Sequence, residues 1–266
     1  MTESYPTMGN LFSGSGAWEL AAKLNGIEVV FEAETEPLPV RVEEKRFPEA
    51  LQLGDVKNIN GANIPPVDIF TSSSPCQDLS IAGTRGGLKA DRSGLFKEAI
   101  RITREMRESD KNNGRPDNPR PRFWCWENVF GTFSSQKGED FRTVLEQVAQ
   151  IVEPGAAIPP ASKGKWAYAG VVDGDGWQIA WRTMDAQYFG VPQRRRRVFL
   201  VADFAGHSAA EILFERESVS WNFAEIAQTW EATATSLGER IDKASKIISR
   251  GVRREEKSMD ERVKKN

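Results

Sequence analysis

The segment TSSSPCQDLS places Cys76, one of only two cysteines in the chain, in a polar turn directly after a proline. A free cysteine is roughly a few per cent thiolate at neutral pH and is strongly nucleophilic, so modest activation makes it a covalent catalyst. The turn follows the strand-like run VDIFTSS, and open parallel sheets bind ligands at strand ends. Cys76 is therefore predicted to be a nucleophile, whereas Cys125, inside the apolar stretch FWCWENV, is predicted to be a packing residue.

A glutamate and a run of arginines are the next residues that could do chemistry. Glu127 stands near the end of FWCWENV, in the same position relative to the sheet edge as Cys76. The run QRRRRVFLV enters a strand, in which side chains alternate between faces, so Arg195 and Arg197 are predicted to share one face. Each feature alone is more often a salt-bridged acid or a solvated patch, and the argument for a site depends on their combination.

A glycine turn precedes the first predicted helix. The segment LFSGSGAWEL puts Gly14 and Gly16 where a missing Cβ lets a ligand approach the backbone and the helix N-terminus. Glu19 stands where the dinucleotide fingerprint has its third glycine, which disfavours a pyrophosphate and leaves another nucleoside ligand open. Glu34, at the end of the second predicted strand, is placed to bond ribose hydroxyls. The alternative is a tight structural turn with surface acids nearby.

The elements that position these residues alternate along the chain. Apolar runs and helical patterns take turns over the first hundred residues, which is typical of a parallel sheet flanked by helices. Strands are predicted at NLFSG, IEVVFEAE, VDIFTSS, FWCWENV, GWQIAWRTMDA and RRVFLVADF. Helices are predicted at AWELAAKLNG, PLPVRVEEKRFP, 93–107 and 141–151. The pattern predicts an α/β fold and leaves the strand order open.

Composition narrows the classes of protein. At 266 residues and 39% hydrophobic content the chain can build a substantial core, and no apolar run reaches the roughly 18 to 20 residues that cross a bilayer. Two cysteines and an N-terminus without signal-peptide features predict a cytoplasmic protein. The single histidine, His207, disfavours a histidine-based metal site, and we expect no metal. The net charge is −2, but the segment from Glu239 to the end carries ten Lys and Arg against six Asp and Glu.

Together these segments resemble the DNA (cytosine-5) methyltransferase family in its bacterial and phage form. The resemblance is carried, in chain order, by LFSGSGAWE, FEAETE, GDV, SSPCQDLSIAG, DRSGLF, WENV and QRRRRVF, over roughly residues 10–204. The combination is far more specific than any one segment. The resemblance implies a Rossmann-like, doubly wound, mostly parallel sheet with a helical, charged C-terminal tail. It implies a catalytic domain over 9–205 and the tail over 206–266.

The resemblance also assigns roles to individual residues. It implies that S-adenosylmethionine is the cofactor, with Glu34 on the ribose and Asp55 near the adenine. Cys76 matches the nucleophile, Glu127 the acid that grips the target cytosine, and Arg197 the basic residue facing the same base, with Arg195 on the same face. The implied cofactor contacts are Phe12, Gly14, Gly16, Glu34, Asp55, Pro75 and Leu95. Thr35 stands where the family often has an aromatic side chain that packs on the adenine.

The implied partner is double-stranded DNA, as in restriction-modification systems. The family continues past the RRRRVF strand with a target-recognition region and a terminal segment that completes the cofactor pocket, and neither is evident in this sequence. We therefore expect a second polypeptide to carry target recognition. Two alternatives stay open: a transfer-RNA cytosine-5 methyltransferase of the same superfamily, and a truncated relic that binds DNA or cofactor without turnover.

Overall fold

The computed structural model describes residues 5–75, 94–189 and 192–214. Cys76, the segment that follows it to residue 93, and the part of the predicted tail beyond residue 214 lie outside the described residues. Within the described ranges, none of the helices is long and apolar enough to cross a membrane.

Eight strands form one mixed sheet. Their bounds are β1 Thr7–Leu11, β2 Glu28–Ala33, β3 Leu51–Gln52, β4 Ile69–Ser72, β5 Phe123–Val129, β6 Ala169–Asp173, β7 Gln178–Asp185 and β8 Arg196–Asp203. The order across the sheet is β3-β2-β1-β4-β5-β8-β7-β6. The strands from β3 to β5 are parallel, whereas β8, β7 and β6 each pair antiparallel with the preceding strand in that order. The mostly parallel α/β sheet is thus confirmed, and the antiparallel pairing of β8 beside β5 is the part that the sequence pattern left open.

Five helices cover the two faces of the sheet. They are α1 Ala17–Leu24, α2 Pro37–Arg46, α3 Leu95–Asn112, α4 Glu139–Ala149 and α5 Ala209–Phe214. The predicted helices correspond to α1 to α4, and α3 continues five residues beyond its predicted end because Arg107 and Asp110 are themselves buried.

The strand register decides which side chains meet which helices. Paired residues of adjacent strands share a face, and alternate residues of one strand face opposite sides. Trp126 pairs in register with Ser72 and packs against Phe96 of α3 and Phe141 of α4. The opposite face of the same strand carries Cys125, which packs in the cluster that includes α5.

The face that α1 and α2 cover is unusually polar near its centre. Asn10 of β1 pairs in register with Glu32 of β2 and with Thr71 of β4, so these three side chains lie on one face. All three are buried, and Glu19 of α1 reaches down to the Asn10 amide. Most of the apolar core therefore lies on the other side, under α3 and α4.

Candidate active site

The predicted site residues lie at the carboxyl ends of neighbouring parallel strands. The glycine turn follows β1, Glu34 follows β2, Pro75 follows β4, and Glu127 is the third residue from the end of β5. The strand order β2-β1-β4-β5 separates Glu34 from Glu127 by three strand spacings, or about 14 Å across the sheet. Such a separation can accommodate an extended nucleoside ligand at one end and a second substrate at the other.

The turn after β1 has a backbone that most side chains avoid. Phe12, Gly14 and Gly16 have φ values of 60°, 60° and 80°, in the left-handed region. The Phe12 backbone N–H donates to the Ala33 carbonyl at 2.8 Å, which fixes the turn against the end of β2. Gly16 is packed, because a Cβ there would lie 2.7 Å from the Phe47 ring.

Gly14 differs from Gly16 because the space beside it is open. Among the residues that the structure describes, no atom lies within 4 Å of the position that a Gly14 Cβ would take. A glycine with left-handed φ and open space above it forms a cradle that a ligand can approach and a side chain would fill. This geometry fits the predicted role of the turn in holding a nucleoside cofactor.

Glu34 is fixed by backbone hydrogen bonds. Its Oε2 accepts from the Gly14 N–H at 2.9 Å, and its Oε1 accepts from the N–H groups of Thr35 and Glu36 at 2.7 and 3.0 Å. These bonds join the end of β2 to the glycine turn. A carboxylate oxygen has two lone pairs, so Oε2 keeps capacity for a ribose hydroxyl.

The other predicted cofactor residues have structural partners of their own. Asp55 is half-buried and caps a short helical turn by accepting from the Lys57 N–H at 3.0 Å. Leu95 is half-buried at the start of α3 and packs against the core, and Pro75 is exposed. The structure thus places Asp55 and Leu95 at the starts of helical elements. Contact of Asp55, Leu95 or Pro75 with a cofactor stays a prediction.

Glu127 and Arg197 form an ion pair at the other end of the site. The Arg197 Nε lies 2.9 Å from the Glu127 Oε1, and the side chains are 22% and 21% exposed. In the antiparallel β5-β8 pair, Arg197 stands opposite Val129 and Glu127 opposite Phe199, so the two charged side chains are diagonal neighbours on one face. The two residues that the resemblance assigns to the target cytosine are thus neighbours in the fold, and their contact with a base stays a prediction.

The other arginines of the run are placed differently. Strand β8 begins at Arg196, so Arg195 lies before the strand and strand alternation does not set its direction. Its backbone N–H donates to Asp185 at 2.9 Å, while its side chain is exposed. Arg196 faces Asp185 at 3.5 Å. Although burial opposes it, these contacts hold the pKa of Asp185 below its ordinary value.

The serines before Cys76 are held by two elements, β5 and α1, a feature that sequence reasoning missed. The Asn128 Nδ2 donates to the Ser74 carbonyl at 2.9 Å, and the Asn128 Oδ1 accepts from the Val129 N–H at 2.8 Å. The Trp18 Nε1 of α1 donates to the Ser73 hydroxyl at 3.0 Å. The only signal in the sequence was the position of Asn128 beside Glu127. Because of it, one dipeptide of β5 provides both the acid and an anchor for the turn.

Cys125 has the properties of a packing residue. It lies in β5 against the cluster of Val171, Ala180, Val201, Ala209 and Leu213. Burial raises the pKa of its thiol to about 12, so the thiolate is scarce at neutral pH. The prediction that Cys125 is structural is confirmed.

Comparison with known proteins identifies the family. The sequence model described as "C-5 cytosine-specific DNA methylase" matches residues 7–151 and 170–259. The chain belongs to this family. The match continues to residue 259, past the strand at which the sequence resemblance ended.

The curated relatives that this chain matches are longer proteins. A protein of Escherichia phage P1 named "DNA N-6-adenine-methyltransferase" is 34% identical over 88% of this chain and 34% of its own length. The type II methyltransferase M.NgoBV of Neisseria gonorrhoeae is 26% identical over 77% of this chain and 43% of its own. The chain therefore spans between about a third and a half of these relatives.

Solved structures share the fold of this chain. The S. pombe Dnmt2 methyltransferase is 17% identical, with a TM-score of 0.52, covering 83% of this chain and 58% of that one. A protein encoded within an E. coli prophage, described as a DNA modification methyltransferase, is 20% identical with a TM-score of 0.50, covering 75% of this chain and 47% of its own. At these identities the likeness confirms the methyltransferase α/β fold.

Proposed function

We propose that this DNA methylase transfers a methyl group from S-adenosylmethionine to carbon 5 of cytosine in duplex DNA, through a covalent adduct with Cys76. One observation carries the proposal. Glu127, paired with Arg197, is followed by Asn128, which anchors the Ser74 carbonyl two residues before Cys76. A carboxylate, a guanidinium and the segment that leads into Cys76 thus lie at the carboxyl ends of neighbouring strands, and addition to a pyrimidine requires a thiolate together with such groups.

The cofactor end of the site fits S-adenosylmethionine. The open cradle at Gly14 admits a ligand to the backbone, and Glu34 lies beside it to accept from ribose hydroxyls. Asp55 caps the short helical turn that follows β3. When bound, the cofactor supplies an electrophilic methyl group. The expected cofactor contacts of Phe12, Gly16, Pro75 and Leu95 belong to the same proposal.

The residues of the chain prepare the base for methylation. Carbon 5 of cytosine is a poor nucleophile, and addition of the Cys76 thiolate to carbon 6 makes carbon 5 enamine-like. Glu127 takes up the developing negative charge by holding a proton at ring nitrogen 3 and accepting from the exocyclic amine, and Arg197 donates to the carbonyl oxygen. After methylation, loss of the proton at carbon 5 to a base and departure of Cys76 restore the ring.

The target base must leave the duplex for this chemistry. A stacked cytosine exposes neither face of its ring to a thiolate, so the nucleotide has to be flipped into the site. The exposed Arg194, Arg195 and Arg196 adjoin the Glu127 end and are suited to the DNA backbone around the flipped nucleotide.

Adenine is a second candidate substrate, because the phage P1 relative is named as an adenine methyltransferase. Methylation of an exocyclic amine needs no covalent thiol adduct, so a Pro-Cys-Gln turn beside an acid and an arginine favours cytosine. The chain spans 34% of that relative, and the printed activity belongs to the longer protein. Transfer RNA and a relic without turnover are the remaining alternatives.

The deciding experiment is transfer of isotope-labelled methyl groups to duplex DNA and to transfer RNA, followed by nucleoside digestion and mass spectrometry. We expect 5-methylcytosine from DNA. Only N6-methyladenine, or product from transfer RNA alone, would overturn the substrate assignment. Cofactor binding by calorimetry without any transfer, in the presence of every substrate tested, would identify a binding protein instead of an enzyme.

We further propose that target recognition comes from a second polypeptide. Specific DNA readers bury about 1,000 to 2,500 Å² of protein and contact base edges, whereas the described arginine run offers mainly phosphate contacts. The chain alone should bind DNA weakly, with steep salt dependence and little sequence preference. Rapid, sequence-specific methylation by the purified 266-residue chain would exclude this division of labour.

A further inference from the structure

Three glutamates from three different elements meet beneath the glycine turn. Glu19 of α1, Glu32 of β2 and Glu43 of α2 are all 0% exposed. One carboxylate oxygen of each lies within 4.8 Å of the others. The proposed methyl-transfer mechanism uses none of them, so their burial needs a separate explanation.

These carboxylates have few hydrogen-bond donors. The Asn10 Nδ2 donates to the Glu19 Oε1 at 2.7 Å, and the Gln52 Nε2 donates to the Glu32 Oε1. Among the described residues, four carboxylate oxygens have no hydrogen-bond partner: Glu19 Oε2, Glu32 Oε2, Glu43 Oε1 and Glu43 Oε2. Across the described ranges, no lysine or arginine forms an ion pair with any of the three glutamates. Buried charge of this kind is costly unless something neutralises it.

Two neutral side chains add further unpartnered oxygens to the same place. Asn10 is 0% exposed, its amide is held against Glu19, and its Oδ1 has no partner. Ser13 is 6% exposed, and its hydroxyl faces the Glu43 carboxylate without hydrogen-bond geometry. Asn10 and Ser13 are not acids, but each has a side-chain oxygen that could bind a cation. Within the described residues, six buried oxygens of these five neighbouring side chains therefore lack a hydrogen-bond partner.

The number, type and spacing of these oxygens suit a hard divalent cation. Ca²⁺ takes about 6 to 8 oxygen ligands at roughly 2.3 to 2.6 Å, so two oxygens on opposite sides of the ion lie about 4.6 to 5.2 Å apart. The three carboxylate oxygens all lie within 4.8 Å of one another, so they can share one such coordination sphere. Mg²⁺ demands about 2.0 to 2.1 Å and usually keeps several waters, which a fully buried cluster accommodates less well.

We propose that Glu19, Glu32 and Glu43, with the side-chain oxygens of Asn10 and Ser13, form a buried binding site for a Ca²⁺-sized divalent cation. The ion would join α1 and α2 to the sheet. Ser13 lies between Phe12 and Gly14, so occupancy would also stabilise the turn that faces the predicted cofactor. The site is separate from the Glu127–Arg197 pair and does not depend on the proposed reaction.

The test measures cation binding directly. The full chain is stripped with EDTA and titrated with Ca²⁺, Mg²⁺ and Mn²⁺ by calorimetry at pH 8, with thermal unfolding in parallel. We expect one ion per chain, tighter Ca²⁺ than Mg²⁺, and a higher unfolding temperature with Ca²⁺. Glu32→Gln and Glu43→Gln should each weaken Ca²⁺ at least tenfold, whereas Glu28→Gln, an exposed acid of the same strand, should not.

A second readout covers variants that fail to fold. Tb³⁺, an oxygen-seeking probe of similar size, should give luminescence sensitised by tryptophan in the wild-type chain, because Trp18 precedes Glu19, and Ca²⁺ should displace it. Absence of stoichiometric Ca²⁺ and Tb³⁺ binding in the folded wild type would overturn the proposal. So would undiminished binding in folded Glu32→Gln and Glu43→Gln variants, and protons alone would then neutralise the cluster.

Discussion

The Arg197 guanidinium lies 2.9 Å from the Glu127 carboxylate and joins the start of β8 to the carboxyl-terminal end of β5. One oxygen of the carboxylate, Oε1, takes this bond, and Arg197 also donates from its Nη1 to the Arg196 carbonyl at 2.8 Å. The ion pair holds the two side chains in a fixed relation, which lowers the cost of organising them around a base.

Glu127→Gln should lose nearly all methyl transfer while cofactor affinity changes little. The amide keeps the shape of the side chain but cannot hold the proton for ring nitrogen 3, and a general acid contributes ~10² to 10⁴ in rate. Single-turnover kinetics at saturating DNA and cofactor measure the loss. Glu139→Gln is the matched control, since Glu139 also pairs with an arginine, Arg142, at 2.8 Å. A loss below about tenfold would assign the acid role to another residue.

Cys76 should form a covalent adduct with duplex DNA that contains 5-fluorocytosine. Fluorine at carbon 5 blocks the final elimination and traps the intermediate, which a denaturing gel detects as a shifted band. Cys76→Ala should abolish the band. Cys125→Ala should keep it, because burial raises the pKa of the Cys125 thiol to about 12. A persistent band in the Cys76→Ala variant would sink the assignment of the nucleophile.

Asn128→Ala should slow adduct formation by acting through the cysteine turn. The substitution removes the donor to the Ser74 carbonyl, and an unpaired buried carbonyl costs about 1 to 3 kcal/mol. As a positioning residue, Asn128 should affect kcat and the rate of trapping by 5-fluorocytosine more than the KM for cofactor. Asn25→Ala removes a similar amide-to-carbonyl bond of 2.8 Å at the end of α1 and should leave trapping unchanged. Equal effects of the two variants on trapping would leave Asn128 with a structural role only.

Gly14→Ala should weaken cofactor binding more than it weakens the fold. The left-handed φ costs an alanine roughly 1 to 2 kcal/mol, and the added methyl fills the open cradle beside Glu34. Gly176→Ala is the control. Gly176 lies in the hairpin between β6 and β7, far from the site, with a φ of 74° and equally open space among the described residues, so the alanine should cause the same backbone strain. Calorimetric titration with S-adenosylmethionine should separate the two variants. Equal affinities would move the cofactor away from this turn.

The parallel half of the sheet was predictable because its strands carry strong local signals. FWCWENV was predicted as a strand at the residues that form β5, since aromatic and β-branched side chains fit a buried strand. The two-residue β3 is too short for any periodic pattern, and β6 was missed because AGVVD gives only five residues of pattern. The antiparallel β8 depends on pairing between distant segments, which a local pattern does not encode.

In the candidate site too, features that depend on contacts between distant segments could not be read from the local sequence pattern. Glu127 and Arg197 could be proposed as neighbours because the resemblance to a family supplied a contact that sequence spacing alone does not. The Asn128 anchor and the meeting of Glu19, Glu32 and Glu43 depend on strand register and helix packing. The sequence does not show whether a glutamate is buried or solvated, so composition and periodicity gave no reason to single out Glu32 or Glu43.

The glutamate cluster should make the chain less stable as the pH rises when divalent cations are absent. Burial is the largest cause that raises the pKa of Glu32 to about 8 and of Glu43 to about 7, from an ordinary value of 4.5. Neighbouring acids add to it, chiefly Glu43 at Glu32 and Glu19 at Glu43, while the Ser13 hydroxyl lowers the pKa of Glu43. Between pH 4.5 and about 8 the folded chain therefore holds more protons than the unfolded chain. Linkage then requires the free energy of unfolding to fall with rising pH in that window and to level off above it.

Urea unfolding in EDTA at pH 5, 6, 7 and 8 should show this decline, and the Glu32→Gln/Glu43→Gln double variant should flatten it. Asp203 does not disturb the window. Although burial opposes it, bonds from Arg122 and Ser208 lower the pKa of Asp203, so its contribution is lost only as pH falls below the ordinary value of 3.8. Added Ca²⁺ should restore stability most at pH 8, where the glutamates release protons most easily. A free energy of unfolding that rises from pH 5 to 8 in EDTA would contradict the buried, proton-holding cluster.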